Sequence, residues 1–285
     1  MSGQPTTDGL PSEEWAGAMG QRWLAHLDRF EGMIAPIGQA LMNRAAFRPG
    51  ERVVDVACGA GGTSIDIAHR VGPQGSVLGI DISPILVEAA QRRAQAARVG
   101  NVSFRCSDAA IMKLEGPGFD RLYSRFGLMF FPDPPAAFAN LRTLVLAGGR
   151  VDFCVWAPAR ENAWVAQMME IVGRYVDLPA PVPRTPGPFA LDEPDYVRAL
   201  LEGAGFDAVR VDVWQGDQPI AGAAASPAEA TDFVLNAMSF GKVLEESAPG
   251  ILQKVREELT ALFARRHGAD GIRMPAKAYL VSAAA

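Results

Sequence analysis

Between Glu51 and Trp156 the chain alternates short apolar runs with segments whose apolar residues recur every three or four positions. The runs RVVDVA, SVLGID, NVSFRCS, FDRLYSRF and GRVDFCVW predict five strands. The periodic segments between them predict helices over 63–71, 84–99 and 135–146. Ser83 is suited to capping the second of these, and Pro84 to its first helical position. Strands that alternate with helices imply parallel βαβ units with right-handed crossovers. The predicted fold class is therefore α/β, a doubly wound and mostly parallel sheet. In such a sheet ligands bind outside the carboxyl ends of the strands.

After Trp156 the alternation is interrupted. Helical patterns run over 162–178, 192–203 (with Asp192 as its cap), 226–240 and 249–266. FDAVRVDVW and AKAYLVSA predict two more strands, which makes seven. DLPAPVPRTPGPF holds five prolines and reads as a loop. Upstream, Trp15, Met19, Trp23, His26, Leu27 and Phe30 recur at helical steps, and a second helical stretch covers 34–45. Residues 1–13 are polar and read as a mobile tail.

Composition narrows the function classes. Apolar residues make up 49% of 285 and charged residues 21%, enough for a full core. The net charge is −5 and no basic block stands out, so nucleic acid is not the expected partner. There is no run long and apolar enough for a membrane span and no secretory signal pattern, which leads us to expect a cytoplasmic protein. Cys58, Cys106 and Cys154 are widely spaced and odd in number, which argues against a disulfide framework or a zinc site. Cys58 reads as a small buried apolar residue. No cluster of carboxylates and histidines suggests a catalytic metal.

The chemistry is concentrated in VVDVACGAGGTSIDIAHR, residues 53–70. Glycines between a first strand and a first helix bring backbone close to a ligand and place a helix N-terminus over it. Asp81, at the end of the next predicted strand, can accept hydrogen bonds from both hydroxyls of a ribose. A dinucleotide fingerprint needs G-x-G-x-x-G, but Ser64 stands at the third glycine position. An NAD(P)-dependent oxidoreductase is thereby the alternative, and a protein that only binds its nucleoside ligand is a second.

The motifs together resemble those of the class I S-adenosylmethionine-dependent methyltransferases, in tone the small-molecule branch that includes quinone C-methyltransferases. The acid and small-residue turn of that family is matched from Asp55 to Gly61. Ala57 replaces the first glycine, a change compatible with a backbone that keeps φ negative there. Asp81 and Ile82 match the ribose acid and the apolar residue on the adenine. Ser107, Asp108 and Ala109 match the motif that reads the adenine amino group. FDRLYSRFGLMFFPDP resembles the fourth-strand motif, in which Ser124 and Arg125 would lie beside the cofactor, and LVLAGGRVDFCVW resembles the turn and fifth strand.

The resemblance implies a Rossmann-like methyltransferase fold and S-adenosylmethionine as cofactor, with Asp55, Ala57, Gly59, Gly61, Asp81, Ile82, Ser107, Asp108, Ala109, Ser124 and Arg125 as its site. It also implies a small-molecule acceptor that receives a methyl group on oxygen, nitrogen or carbon. Residues 1–46 would then form a tail and lid helices, and 47–285 the methyltransferase domain. The segments 157–205 and 221–270 would carry helical additions near the acceptor. His26 is the candidate general base. Trp23, Phe126, Trp156 and Trp164 are the candidate acceptor-binding residues.

Overall fold

The computed structural model describes residues 11–285 apart from Glu115, Pro179, Pro181, Ala223 and Ser239. Of the expected tail, residues 1–10 lie outside the described residues, whereas 11–13 already belong to a helix. Three helices come first: α1 (Pro11–Ala16), α2 (Ala18–Ala25) and α3 (Leu27–Ala45). The alternating region follows as β1 (Arg52–Val56), α4 (Gly62–Val71), β2 (Ser76–Asp81), α5 (Pro84–Ala96), β3 (Val102–Cys106), β4 (Phe119–Arg125), α6 (Pro134–Leu144) and β5 (Val145–Trp156). The remainder comprises α7 (Ala163–Gly173), α8 (Pro194–Gly203), β6 (Asp207–Pro219), α9 (Pro227–Ala237), α10 (Phe240–Glu245), α11 (Ile251–Arg266), β7 (His267–Gly268) and β8 (Gly271–Ala284).

The strands form one sheet in the order β3-β2-β1-β4-β5-β8-β6. The first five are parallel, while β8 runs antiparallel to both neighbours. The seven strands expected from the sequence are all present. The eighth, β7, is a two-residue partner of β8. Central strands are buried on both faces. Val53, Val54, Leu122, Phe153 and Val155 are fully enclosed, as expected where helices cover both sides of a parallel sheet.

Several element boundaries differ from the sequence expectation. The helix predicted to reach residue 146 stops at Leu144, because the following LAGG is drawn into β5. A register shift against β4 between Phe119 and Arg121 absorbs those residues. The helix expected over 162–178 ends at Gly173. Asp192 is not the cap of α8: Pro194 takes the first helical position, so Glu193 is the cap residue. The segment 226–240 breaks at Met238, whose extended backbone separates α9 from α10. Ser226 starts α9 with a reciprocal capping box to Glu229. The helix expected from 249 begins at Ile251, after the left-handed Gly250. The last strand is longer than expected because it is paired on both sides, to β5 and to β6.

Two departures concern the N-terminal helices. α3 is a core element: Ile37, Leu41 and Ala45 are fully buried, and Met33, Ile34 and Met42 nearly so. Only α1 and α2 are peripheral, so the sequence division at residue 46 groups a core helix with them. Ser83 makes no side-chain cap on α5. Its hydroxyl instead lies under α2, where a Cβ built on Gly20 would sit 2.3 Å from Ser83 Oγ and 2.5 Å from the Trp15 carbonyl oxygen. The Trp15 carbonyl is backbone and cannot swing aside. Gly20→Ala is therefore expected to lift α2 off α5, at a cost of about 1–3 kcal/mol for an overpacked site. Limited proteolysis would register it as faster cleavage within α1 and α2 against an intact core.

Candidate functional site

The carboxyl ends of β3, β2, β1 and β4 lie side by side, and each delivers residues singled out by the sequence. β1 contributes Asp55 and then the glycine turn. Gly59 and Gly61 adopt φ of +55° and +78°, a region in which a side chain is strained. A Cβ on Gly61 would also approach Ala90 and Phe104 to 2.7 and 2.8 Å. Ala57 departs from expectation: its φ is +56°, not negative. The strain is accommodated by Gly127, just after β4, since a Cβ there would meet the Ala57 methyl at 2.3 Å. α4 begins without a side-chain cap, so its first backbone N–H groups are left for a ligand.

Asp81 organises this turn. Its Oδ2 accepts from the Gly59 amide at 2.8 Å and its Oδ1 from the Ser83 amide at 2.9 Å. A carboxylate has about four lone-pair sites, so capacity for two hydroxyl donors remains. Burial pushes the Asp81 carboxyl up, opposed by the amides of Ser83, Gly59 and Ile82. Ser107 follows directly, its amide donating to the Asp81 carbonyl at 2.9 Å. Asp108 accepts the Ala110 amide at 2.8 Å through Oδ1, and its Oδ2 takes no hydrogen bond from the described residues. Ile82 is half-buried beside them and Ala109 is buried.

Asp55 is almost fully enclosed and accepts from Ser64 Oγ at 2.6 Å. Burial raises its carboxyl to about 7, against the Ser64 hydrogen bond and the nearby Arg125. Cys58 is buried too, and desolvation together with Asp55 and Asp81 pushes its thiol well up. It is a packing residue, as the sequence suggested. At the end of β4, Ser124 Oγ donates to the Val56 carbonyl at 2.8 Å, which ties β4 to β1. Arg125 forms no ion pair with the described residues. Its side chain lies against Gly38 of α3 and borders an open cleft of about 700 Å³ that also contains Asp28, Glu31, Asp66 and Gly62.

The N-terminal helices cover this edge. A Cβ on Gly59 would lie 3.9 Å from Trp23 Nε1. The Trp23 ring stacks on Phe30 at 4.3 Å and meets Trp15 edge-on at 5.9 Å. A clamp not anticipated from the sequence fixes the cover. Arg93 of α5 forms a two-pronged ion pair with Glu31 of α3, at 2.9 and 3.0 Å, and donates to the Ala60 carbonyl within the turn at 2.9 Å. Nothing in a single chain links residues 31, 60 and 93, so periodicity could not have found it.

The remaining candidates fall into two groups. Phe126 and Trp156 stack at 4.3 Å, and Trp164 joins them at 5.2 Å. All three are buried, and Trp164 Nε1 donates to Asn162 Oδ1 at 3.2 Å. They form one aromatic wall at the ends of β4 and β5, whereas Trp23 belongs to the cover. His26 lies at the junction of α2 and α3, edge-on to Phe233 of α9 at 5.7 Å. Burial, with Arg29 and Arg22 nearby, holds it below the usual histidine range. Among the described residues no cluster of metal-ligating side chains forms.

The residues present suit S-adenosylmethionine. Backbone donors and a glycine turn stand at the strand ends, Asp81 and Asp108 retain acceptor capacity, and Arg125 has no anionic partner among the described residues. Residues 47–172 match a family described as a methyltransferase domain. Nocamycin O-methyltransferase of Saccharothrix syringae is 32% identical over 185 residues, which cover 61% of this chain and 66% of that protein. Aklanonic acid methyltransferase of a Streptomyces species is 34% identical over 118 residues, 41% of this chain and 54% of that one. The chain thus spans just under two thirds of the first relative and about half of the second. In fold it is similar to a Haemonchus contortus phosphoethanolamine N-methyltransferase solved with S-adenosylmethionine. The TM-score is 0.59 at 14% identity, over 99% of this chain and 61% of that one. It is similar also to YcgJ of Bacillus subtilis, with a TM-score of 0.57 at 18% identity over 87% of this chain and 97% of that one. These findings do not favour an oxidoreductase. Residues 47–172 thus carry a methyltransferase domain, and the chain is similar in sequence to small-molecule methyltransferases and in fold to one solved with S-adenosylmethionine.

Proposed function

We propose that the protein transfers a methyl group from S-adenosylmethionine to a small, oxygen-bearing organic acceptor held under α2. The observation that carries this reading is the row of acids at the ends of adjacent strands, Asp55, Asp81 and Asp108, of which Asp81 holds the glycine turn that Trp23 covers. Two relatives are named for nocamycin and aklanonic acid, and a third, at 28% identity, is a demethylmenaquinone methyltransferase. Those names support an oxygen-rich acceptor here.

In this reading Asp81 holds the ribose and Asp108 the adenine edge, while Arg125 faces the cofactor carboxylate. S-adenosylmethionine, when bound, supplies an electrophilic methyl group on a cationic sulfur. The protein's part is chiefly positioning, with reacting atoms held about 3–3.5 Å apart. The cover excludes water, which favours a step in which charge is lost. His26, kept neutral at the seam of the cover, is the histidine available where an acceptor must lose a proton. The protein would work in the cytoplasm. Among the described residues no helix is long and apolar enough to cross a membrane.

The test is incubation with methyl-labelled S-adenosylmethionine and a panel of aklanonic acid, demethylmenaquinol, catechol and alizarin, alongside titrations with S-adenosylmethionine and NAD. Label appearing in an organic product, with S-adenosylmethionine bound in preference to NAD, is the expected result. Tighter binding of NAD would overturn it. Binding without transfer to any acceptor would point to a ligand-binding protein. Within the reading, Trp23→Ala is expected to lower transfer about tenfold while cofactor affinity changes less than about threefold. The basis is that one packed aromatic contributes roughly 0.5–1.5 kcal/mol of contact beyond its burial. Melting curves taken in parallel separate this from loss of fold.

A further inference from the structure

Gln218 is fully buried, and neither its Nε2 nor its Oε1 has a hydrogen-bond partner among the described residues. Other buried side chains with an unpaired atom leave one hydroxyl or one guanidinium nitrogen unmet. Among the described residues, Gln218 alone leaves both ends of its polar group unmet. Burying an amide without partners is costly, so such a group in a folded protein calls for an explanation.

Its place in the fold suggests one. From Arg210 to Pro219, beyond a shift near its start, β6 pairs with β8 in unbroken register, Trp214 opposite Ala278 and Gln218 opposite Met274. Ala278 is also the partner of Trp156, the last residue of β5. Gln218 therefore overhangs the end of β5 by four residues, on the side of the sheet edge where the cofactor turn lies. With a side-chain period of two, Gln218 shares a strand face with Asp212, whose carboxylate pairs with Arg44 of α3. Further along, Gly32 of α3 lies against Gly222, just beyond β6, with a Cβ on Gly32 only 3.7 Å from the Gly222 Cα. The two contacts bracket Gln218 under α3, toward its N-terminal end. That end of α3 carries Phe30, which touches both Trp23 of the cover and Phe233 of α9.

We propose that Gln218 is an acceptor-binding residue, and that its amide reads an acceptor edge on which a carbonyl and a hydroxyl stand side by side. An amide presents one donor group and one acceptor oxygen next to each other. The complementary edge is a hydroxy-carbonyl, whose carbonyl accepts from Nε2 and whose hydroxyl donates to Oε1. This inference deepens the methyl-transfer reading and rests on it. A group left unpaired in the free protein and satisfied by the acceptor also discriminates against analogues that lack it.

The experiment compares Gln218→Met with the parent protein, using alizarin, in which a hydroxyl neighbours a quinone carbonyl, and catechol, which has no carbonyl. Binding is followed by spectroscopic titration, and both proteins are melted and titrated with S-adenosylmethionine. Methionine matches the length of glutamine and removes the unpaired amide, so the free variant is expected to melt higher than the parent. The alizarin-to-catechol affinity ratio is expected to fall about tenfold, the scale of one lost buried hydrogen bond. A lower melting temperature would mean that the amide is satisfied within the free protein, and would overturn the proposal. So would an unmoved ratio, or a parent protein that does not bind alizarin. Failure to bind S-adenosylmethionine would instead count against the methyl-transfer reading, while the melting comparison still reports on Gln218.

Discussion

Asp81→Ala is expected to lower affinity for S-adenosylmethionine about 100-fold. Hydrogen bonds to a charged group contribute roughly 1.5–3 kcal/mol each, and about 1.4 kcal/mol corresponds to tenfold. Two effects combine at this residue. The carboxylate is the proposed partner of the ribose hydroxyls, and it also holds the amides of Gly59 and Ser83. Without it the glycine turn loses its tie to the end of β2. Asp81→Asn separates the two contributions, because one amide oxygen can still accept from one backbone N–H. Calorimetric titration of both variants should give a graded loss, asparagine milder than alanine. Equal affinity in all three proteins would remove Asp81 from the site.

The second large effect is on stability against pH. Asp55 is enclosed, and burial raises its carboxyl to about 7, whereas in an unfolded chain it titrates near 3.9. A raised value means that the fold favours the protonated form. The stability contributed by that form is fully present below about pH 4, declines as pH rises, and is lost once pH passes about 7. The whole change corresponds to about 4 kcal/mol. Asp55→Asn keeps an acceptor for Ser64 and cannot ionise. The variant should therefore resist urea better than the parent at about pH 8, with the gap closing toward about pH 4. A gap that widens on acidification would contradict the assignment. Arg125 and a bound cationic cofactor would both draw Asp55 back toward the ionised form, so cofactor binding should release protons near neutral pH.

The sheet was readable from the sequence because its signals are local. Alternating apolar runs such as SVLGID, and the spacing of Asp55, Asp81 and Asp108, lie on successive strand ends and need no long-range information. What was not readable arises from contacts between distant segments. α3 looks like a surface helix by its mixed pattern, yet its apolar stripe meets the sheet and makes it core. The positive φ of Ala57 is possible because Gly127, seventy positions away, leaves room for its methyl. Ser83 looked like a cap and became the floor under Gly20. Gln218 carried no motif at all. Only the register of β6 on β8, together with its burial, sets it apart.

The position of β8 has a consequence for how the protein comes to be made. β8 follows every other strand in the chain, yet it lies between β5 and β6 in the sheet. While the chain emerges from the ribosome, β5 and β6 can both be present with a side unpaired, and nothing upstream fills the gap. Open strand edges invite pairing with other chains. The helices α9, α10 and α11, threaded between β6 and β8, lengthen that interval. Closure of the sheet therefore waits on the arrival of Gly271–Ala284. A translational stall or a nonsense codon ahead of that segment would leave a well-started but adhesive intermediate, prey to chaperones and proteases.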